Sequence, residues 1–279
     1  YYSYYMITWI SSYPKSGNTW VRAFITTYLY SNNENFTINL LNKINEFPDH
    51  IILGKFMDGK DFHNLAKISE NWIKVQEFIN LNNKRTFLKT HNALCNINGN
   101  MFANNDTTAA CIYIVRDPRN VVLSMSNHFG LSQEESFKNI INEKYIVYPT
   151  MKNQTVPCTL VSSWNQHYLS WKNSNLINKI IIKYEDLIED PEATFKKIIS
   201  FLNKHTNLEI IEEKFQNAIK ITRFDNLKKF EEEHGFNMGQ KDKFFHLGKK
   251  NNWKSLLDPQ IESRIRAKFE PEMKELGYT

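Results

Sequence analysis

Between Ser12 and Trp20 the chain reads SYPKSGNTW, and these are side chains suited to holding an oxyanion. Lys15 brings one positive charge, Ser16, Asn18 and Thr19 bring short hydrogen-bonding groups, and Gly17 lets the main chain come close to a ligand. Phosphate or sulfate is the guest that such a set fits. Further along, Lys89, Thr90 and His91 follow one another at the end of TFLKTH. An imidazole that titrates near neutrality can accept a proton from a hydroxyl, so a cation and a base stand together there. Arg116 ends the apolar run AACIYIV, and Ser124 lies two helical turns beyond it. An anion cradle, an imidazole and an outlying arginine are the groups the chain would have to bring together.

These residues act together only if the chain delivers them to one place. ITWISS is rich in β-branched and aromatic residues, and the stretch from Asn18 to Tyr30 is apolar-periodic without breakers, so residues 7 to 30 read strand, tight loop, helix. The unpaired N–H groups and positive dipole end at the start of that helix would face the loop's ligand. Thr86 to Lys89 reads as a short buried strand, and 109 to 115, apolar on both faces, as an interior strand of a parallel sheet. Asp117 is placed to cap the next helix and Pro118 to occupy its first position. In an open α/β sheet ligands collect at the carboxyl ends of the strands, where all three groups fall. Helices are expected over 69 to 81, over 160 to 173 with Trp164, Tyr168 and Trp171 toward the core, after Pro191, and from 259 onward. A buried strand is expected at 180 to 183, and a lid or substrate loop over 130 to 157. Phe47, Phe56, Phe62 and Trp72 are read as core and lid packing, with lining of an acceptor pocket as the alternative. The fold class expected is α/β, a single domain over 1 to 279 with a mostly parallel central sheet flanked by helices. Residues 1 to 5, YYSYY, are set apart as a frayed N-terminal extension.

The loop is not the P-loop of ATP- and GTP-binding proteins, which needs an early glycine and a lysine directly after its last glycine. Here the lysine precedes Gly17, and Ser12 stands where the early glycine would be. YPKSGNTW instead closely resembles the 5'-phosphosulfate loop of sulfotransferases that use 3'-phosphoadenosine 5'-phosphosulfate (PAPS), commonly YPKSGTTW, with Asn18 the one departure. KTH at 89 to 91 resembles the segment of cytosolic sulfotransferases whose histidine is the general base. The resemblance implies a P-loop-kinase-like sulfotransferase fold and sulfuryl transfer by in-line displacement, PAP being the product. It implies His91 as base, Lys15 as the cation on the bridging oxygen and Lys89 on the sulfuryl oxygens. Lys15, Ser16, Gly17, Asn18 and Thr19 would hold the 5'-phosphosulfate, and Arg116 with Ser124 the 3'-phosphate. Through YEDL at 184 to 187 the resemblance brings Tyr184 toward the nucleotide, and through TRF at 222 to 224 it sets Thr222, Phe224 and Trp20 around adenine. FFHLGKKNNWK resembles the family's last loop, FxRKGxxGDWK, so His246, Leu247, Gly248 and Lys249 would face the 3'-phosphate, with His246 and Leu247 replacing the usual Arg-Lys.

At 279 residues the chain can bury a full core, and a net charge of +5 suits handling of polyanionic small molecules. Its basic residues are scattered among acidic ones, so nucleic acid is not an expected partner. Cys95, Cys111 and Cys158 are odd in number and lack metal-ligand spacing, which favours reduced thiols and a cytoplasmic location. No apolar run approaches the ~20 residues of a membrane helix, and Asp117 reads as a helix cap rather than a Mg²⁺ ligand, so no metal is required. The acceptor, a carbohydrate, phenol, lipid or other alcohol, and the choice between monomer and homodimer stay open. A nucleotide-dependent kinase and a non-catalytic PAP-binding protein are the alternatives.

Overall fold

The computed structural model describes residues 6–31, 36–148, 156–234 and 253–278. Strand β1 (Ile7–Ser12) runs through the loop into helix α1 (Asn18–Tyr30). Then come β2 (Asn45–Glu46), α2 (Trp72–Asn80), β3 (Thr86–Thr90) and β4 (Thr108–Val115). Helices α3 (Pro118–Phe129), α4 (Gln133–Ile141) and α5 (Trp164–Lys172) precede the last sheet strand, β5 (Lys179–Lys183). The chain closes with α6 (Tyr184–Glu189), α7 (Pro191–Thr206), α8 (Glu212–Ile221), α9 (Phe224–His234) and α10 (Pro259–Leu276).

The five strands form one sheet in the order β2-β3-β1-β4-β5, every neighbouring pair parallel. All eight residues of β4 are buried, as a strand covered on both faces requires. Its side chains alternate: Cys111, Tyr113 and Val115 enter the core under α2, α3, α5 and α10, while Ile112 and Ile114 enter the core under α1, α7 and α8. The sheet is thus the middle of three layers. Leu160, expected to open a helix, instead pairs together with Thr159 against Ile146–Val147 as a short antiparallel ladder, and the helix starts at Trp164. Trp164, Tyr168 and Trp171 do face the core, at 1%, 2% and 0% exposure.

Asp117 caps α3 as its position predicts, its Oδ1 accepting from Arg119 N at 2.9 Å with Pro118 at the first helical position. The same carboxylate takes the Arg119 side chain, Nη2 to Oδ2 at 2.7 Å. That guanidinium also donates to the carbonyl of Tyr278 and lies 3.8 Å from the centre of the Trp253 ring. Buried Arg119 thereby ties the chain's end to the start of α3, directly behind Arg116. Of the four aromatics weighed for an acceptor pocket, Phe47, Phe62 and Trp72 are buried in the core and Phe56 packs against it. Among the described residues no helix is long and apolar enough to cross a membrane.

Candidate active site

The carboxyl ends of β1, β3 and β4 lie side by side, and the charged groups follow from that register. Ser11 of β1 pairs with Thr90 of β3 and with Tyr113 of β4, so His91 and Arg116 emerge on either side of the loop that holds Lys15. Arg116 Nη1 donates to the carbonyl of Lys15 at 2.5 Å, and its guanidinium lies 4.4 Å from the centre of the Tyr184 ring. The loop turns sharply: Lys15 has φ 67° and Gly17 φ 100°, both in the left-handed region. Glycine is required at 17 for a second reason. A Cβ there would come within 2.9 Å of Tyr184 Cε2, so the ring packs on the bare backbone. The close approach that the sequence assigns to a ligand is made at this face by Tyr184.

A cavity of about 230 Å³ opens at these strand ends, bordered by Lys15, Lys89 and His91 together with Arg22, Glu46 and His128. Its remaining wall is largely apolar, with Pro48, Phe129, Val147, Val156, Pro157 and Val161. His91 Nδ1 lies 2.8 Å from the carbonyl oxygen of Ser12. A carbonyl only accepts, so Nδ1 carries the hydrogen and the lone pair is on Nε2. Burial, then Lys89, lower the pKa of His91 to about 3, against the opposing pull of Glu46 and the Ser12 carbonyl. Burial lowers Lys15 to about 7, and neighbouring Arg116 and Lys89 push the same way while Glu231 opposes. His128 is lowered to about 4 by burial and by Lys15. Lys15, Lys89 and Arg22 therefore share a poorly solvated hollow with two imidazoles that are neutral at pH 7.

Two residues absent from the sequence reading complete the surroundings. Glu46 sits across from Lys89, with Oε1 2.9 Å from Nζ. Its side chain is 52% exposed. Burial would raise its carboxyl, but Lys89 and then His91 outweigh that and hold it at about 2. His167 is fully buried below His91: Nε2 lies 3.2 Å from the His91 carbonyl, so it donates there, and Nδ1 accepts from Tyr113 Oη at 2.8 Å. A signal for His167 existed, since it falls among Trp164, Tyr168 and Trp171 on the apolar face of α5. Glu46, in a strand of two residues, offered none.

Asn18 turns inward and donates to the carbonyl of Ile10 at 3.0 Å and to Ser12 Oγ at 3.3 Å, tying the helix start to β1. Thr19 borders the first cavity. Trp20 borders a second one of about 520 Å³ with Thr222 and Phe224, so consecutive residues at the start of α1 touch both. Trp20 Nε1 donates to the Thr222 carbonyl at 2.8 Å, and its ring stands edge-on to Phe224 at 5.5 Å. The Thr222 hydroxyl is directed to the carbonyl of Ala218 at 2.7 Å. Ser124 is half-buried on α3, borders neither cavity, and its hydroxyl makes no hydrogen bond among the described residues. Glu185 accepts from Asp117 N at 3.2 Å and from Tyr278 Oη at 2.8 Å. His246, Leu247, Gly248 and Lys249 lie outside the described residues.

Residues 7–277 match the family model described as the sulfotransferase domain. Luciferin sulfotransferase of Photinus pyralis is 24% identical over 271 residues, covering 94% of this chain and 62% of the relative. The chain therefore spans somewhat under two thirds of that protein's length. Cytosolic sulfotransferase 17 of Arabidopsis thaliana is 23% identical over 96% of the chain and 75% of the relative. Flavonol 4'-sulfotransferase of Flaveria chlorifolia is 26% identical over 92% and 75%. Among solved structures, retinol dehydratase in complex with androsterone and PAP superposes with a TM-score of 0.60 at 16% identity, over 96% of this chain and 80% of that one. A mouse sulfotransferase complexed with PAP gives 0.56 at 17%, over 96% and 85%.

Proposed function

The chain belongs to the sulfotransferase family, and from that premise we propose that it transfers a sulfuryl group from PAPS to the hydroxyl of a small acceptor, with His91 as general base. The observation that carries this reading is the single cavity shared by Lys15, Lys89 and His91, with the lone pair of the imidazole on Nε2. PAP bound to two structures of the same fold supports the nucleotide. The residues present fit such a ligand. Ser16 Oγ and Arg116 Nε are buried donors with no hydrogen-bond partner among the described residues, both beside the loop. Lys15, Ser16 and the backbone from Gly17 to Thr19 would hold the 5' end, and the cavity beside Trp20 and Phe224 the adenine. Bound there, PAPS supplies the sulfuryl group, which the acceptor oxygen takes as the bond to the 5'-phosphate oxygen breaks.

Each side chain then has one task. His91 takes the acceptor's proton on Nε2 while Nδ1–H stays on the Ser12 carbonyl, which fixes the ring's orientation. A base whose pKa lies near 3 is neutral at pH 7 but weak. Anionic charge entering the cavity raises it, so the base strengthens when the donor is in place. Lys15 meets the charge left on the departing phosphate oxygen, and Lys89 faces the sulfuryl oxygens. Positioning and charge stabilisation account for most of the rate in such transfers. The apolar wall favours a compact apolar alcohol or phenol over a carbohydrate, in keeping with androsterone in the retinol dehydratase complex and with the flavonol named for the plant relative.

Transfer of labelled sulfate from PAPS to a panel of phenols, steroids and sugars tests this. His91→Ala is expected to lose about 10² to 10⁴ in turnover while still binding PAP. Turnover retained in that variant removes His91 from its role, and wild-type protein that binds PAP but sulfates no acceptor favours a non-catalytic binding protein.

A further inference from the structure

We infer that Glu46 is a positioning residue for Lys89, holding its ammonium on the cavity wall and limiting how much of its charge is offered to the sulfuryl group. This rests on the sulfotransferase reading above. Glu46 and Lys89 are register partners on the parallel strands β2 and β3, and the pair is locked from the backbone. Phe47 N donates to the Lys89 carbonyl at 2.8 Å, and Thr90 Oγ1 donates to the Phe47 carbonyl at 2.9 Å. The two-residue strand β2 therefore has a defined purpose at the sheet edge: it sets a carboxylate opposite the last lysine of β3. Lys89 is 16% exposed, and its Nζ sits 2.9 Å from Glu46 Oε1. Among the residues bordering the cavity Glu46 is the acid, facing Lys15, Arg22, Lys89, His91 and His128.

A lysine side chain has four rotatable carbons and no preferred direction of its own. Without a partner, the ammonium of Lys89 would be drawn fully onto any anion entering the cavity. Paired with Glu46, it stays at a fixed point and is partly neutralised, so it binds a ground-state sulfuryl group weakly. Strong ground-state binding does not speed transfer, whereas a cation held where charge must be met does. The carboxylate is ionised at any working pH, its pKa lying near 2, so the pair is a constant feature of the site.

PAP lacks the sulfuryl group, so the ratio of PAPS to PAP affinity isolates what Lys89 contributes there without requiring turnover. Calorimetry with both nucleotides is to be run on wild type, Glu46→Gln, Lys89→Ala and the double variant. Glu46→Gln is expected to raise the ratio about fivefold, the scale of one partly exposed ion pair, and to lower kcat with an acceptor about tenfold. In the Lys89→Ala background the same change should leave the ratio unmoved, because Glu46 acts through Lys89. An unchanged ratio in Glu46→Gln, or a rise that survives without Lys89, overturns the inference. Should Glu46→Gln fail to fold by circular dichroism, Glu46→Asp replaces it. With its charge on a shorter arm it is expected to give an intermediate ratio, and a wild-type ratio counts against the inference. Wild-type protein that binds neither nucleotide sinks the sulfotransferase reading and this one with it, whereas normal binding with an unmoved ratio sinks only the role of Glu46.

Discussion

Lys15 offers the sharpest test of the anion site, because its protonation should change when the site fills. Burial first, then Arg116 and Lys89, lower its pKa to about 7. At pH 8 only about a tenth of the protein would carry the Lys15 proton. A phosphate beside it reverses the balance of charge, returning the group toward its ordinary value near 10.4. Binding PAP at pH 8 should therefore take up about 0.9 proton, and protonating Lys15 should weaken binding about tenfold relative to a permanently charged site. The pH is chosen so that the nucleotide itself contributes little, phosphate monoesters having lost their last proton well below it, with a second pKa of about 6. His91 and His128, at about 3 and about 4, would have to rise by four units or more to contribute. Calorimetric titrations of PAP in two buffers of different ionisation enthalpy give the proton count directly. Lys15→Met should erase it. An uptake near zero in wild type, or a full proton taken up by Lys15→Met, refutes the assignment of Lys15 to the phosphate.

Two further outcomes follow from local geometry. Gly17→Ala places a Cβ against the Tyr184 ring at a left-handed φ of 100°, so about 1–3 kcal/mol of stability should be lost, with weakened PAP binding, measured by urea unfolding and calorimetry. His167 is fully buried with its pKa lowered to about 3 by burial, so below its unfolded value of 6.5 the unfolded chain binds a proton that the native state refuses. Stability is then lost as pH falls, by about 2 kcal/mol between pH 7 and pH 5 from this one group. His167→Gln should flatten that part of the urea-midpoint curve, and an unaltered acid slope would show that another group is responsible.

Much of the fold was legible because its elements carry strong local signals. The run ITWISSYPKSGNTW already contains a strand, its turn and a helix start, and AACIYIV could only be an interior strand, as its complete burial bears out. Asp117-Pro118 announced the start of α3 for the same reason: cap and first-turn proline are chemically distinct choices. Legibility ended where a residue's meaning is set across the sheet. Glu46 lies in a strand too short for any periodicity, and its partner is 43 residues away in the chain. His167 looked like one more residue of a helix that was correctly read as amphipathic, and nothing local tells that its ring bridges Tyr113 and the carbonyl of His91, the residue after β3. Of the residues singled out by motif, the Ser124 hydroxyl has no hydrogen-bond partner among the described residues, Thr222 bonds Trp20 through its carbonyl and Ala218 through its hydroxyl, and Tyr184 packs on the loop's own backbone at Gly17.

That last difference bears on how the loop keeps its shape. A turn with left-handed positions on both sides of Ser16 is costly for a lysine, and the strain persists only if surrounding groups fix it. Arg116 fixes it from β4 by bonding the Lys15 carbonyl, and Trp164 fixes Arg116 in turn through a 3.1 Å bond to its carbonyl. Tyr184, directly after β5, fixes it as well, lying against both Gly17 and the Arg116 guanidinium. Arg116 thus has a role in shaping the loop that any contact with a 3'-phosphate must be added to. An Arg116→Ala protein would lose the loop geometry as well as any phosphate contact, so weakened PAP binding alone says nothing about which was lost. Arg116→Lys distinguishes them: a lysine can still present charge to a phosphate but lacks the guanidinium plane that lies over Tyr184 and the fork that reaches the Lys15 carbonyl while leaving other donors for a ligand. If binding falls as far in Arg116→Lys as in Arg116→Ala, the arginine serves chiefly to shape the loop; if Lys restores most of it, charge on the nucleotide is the larger part.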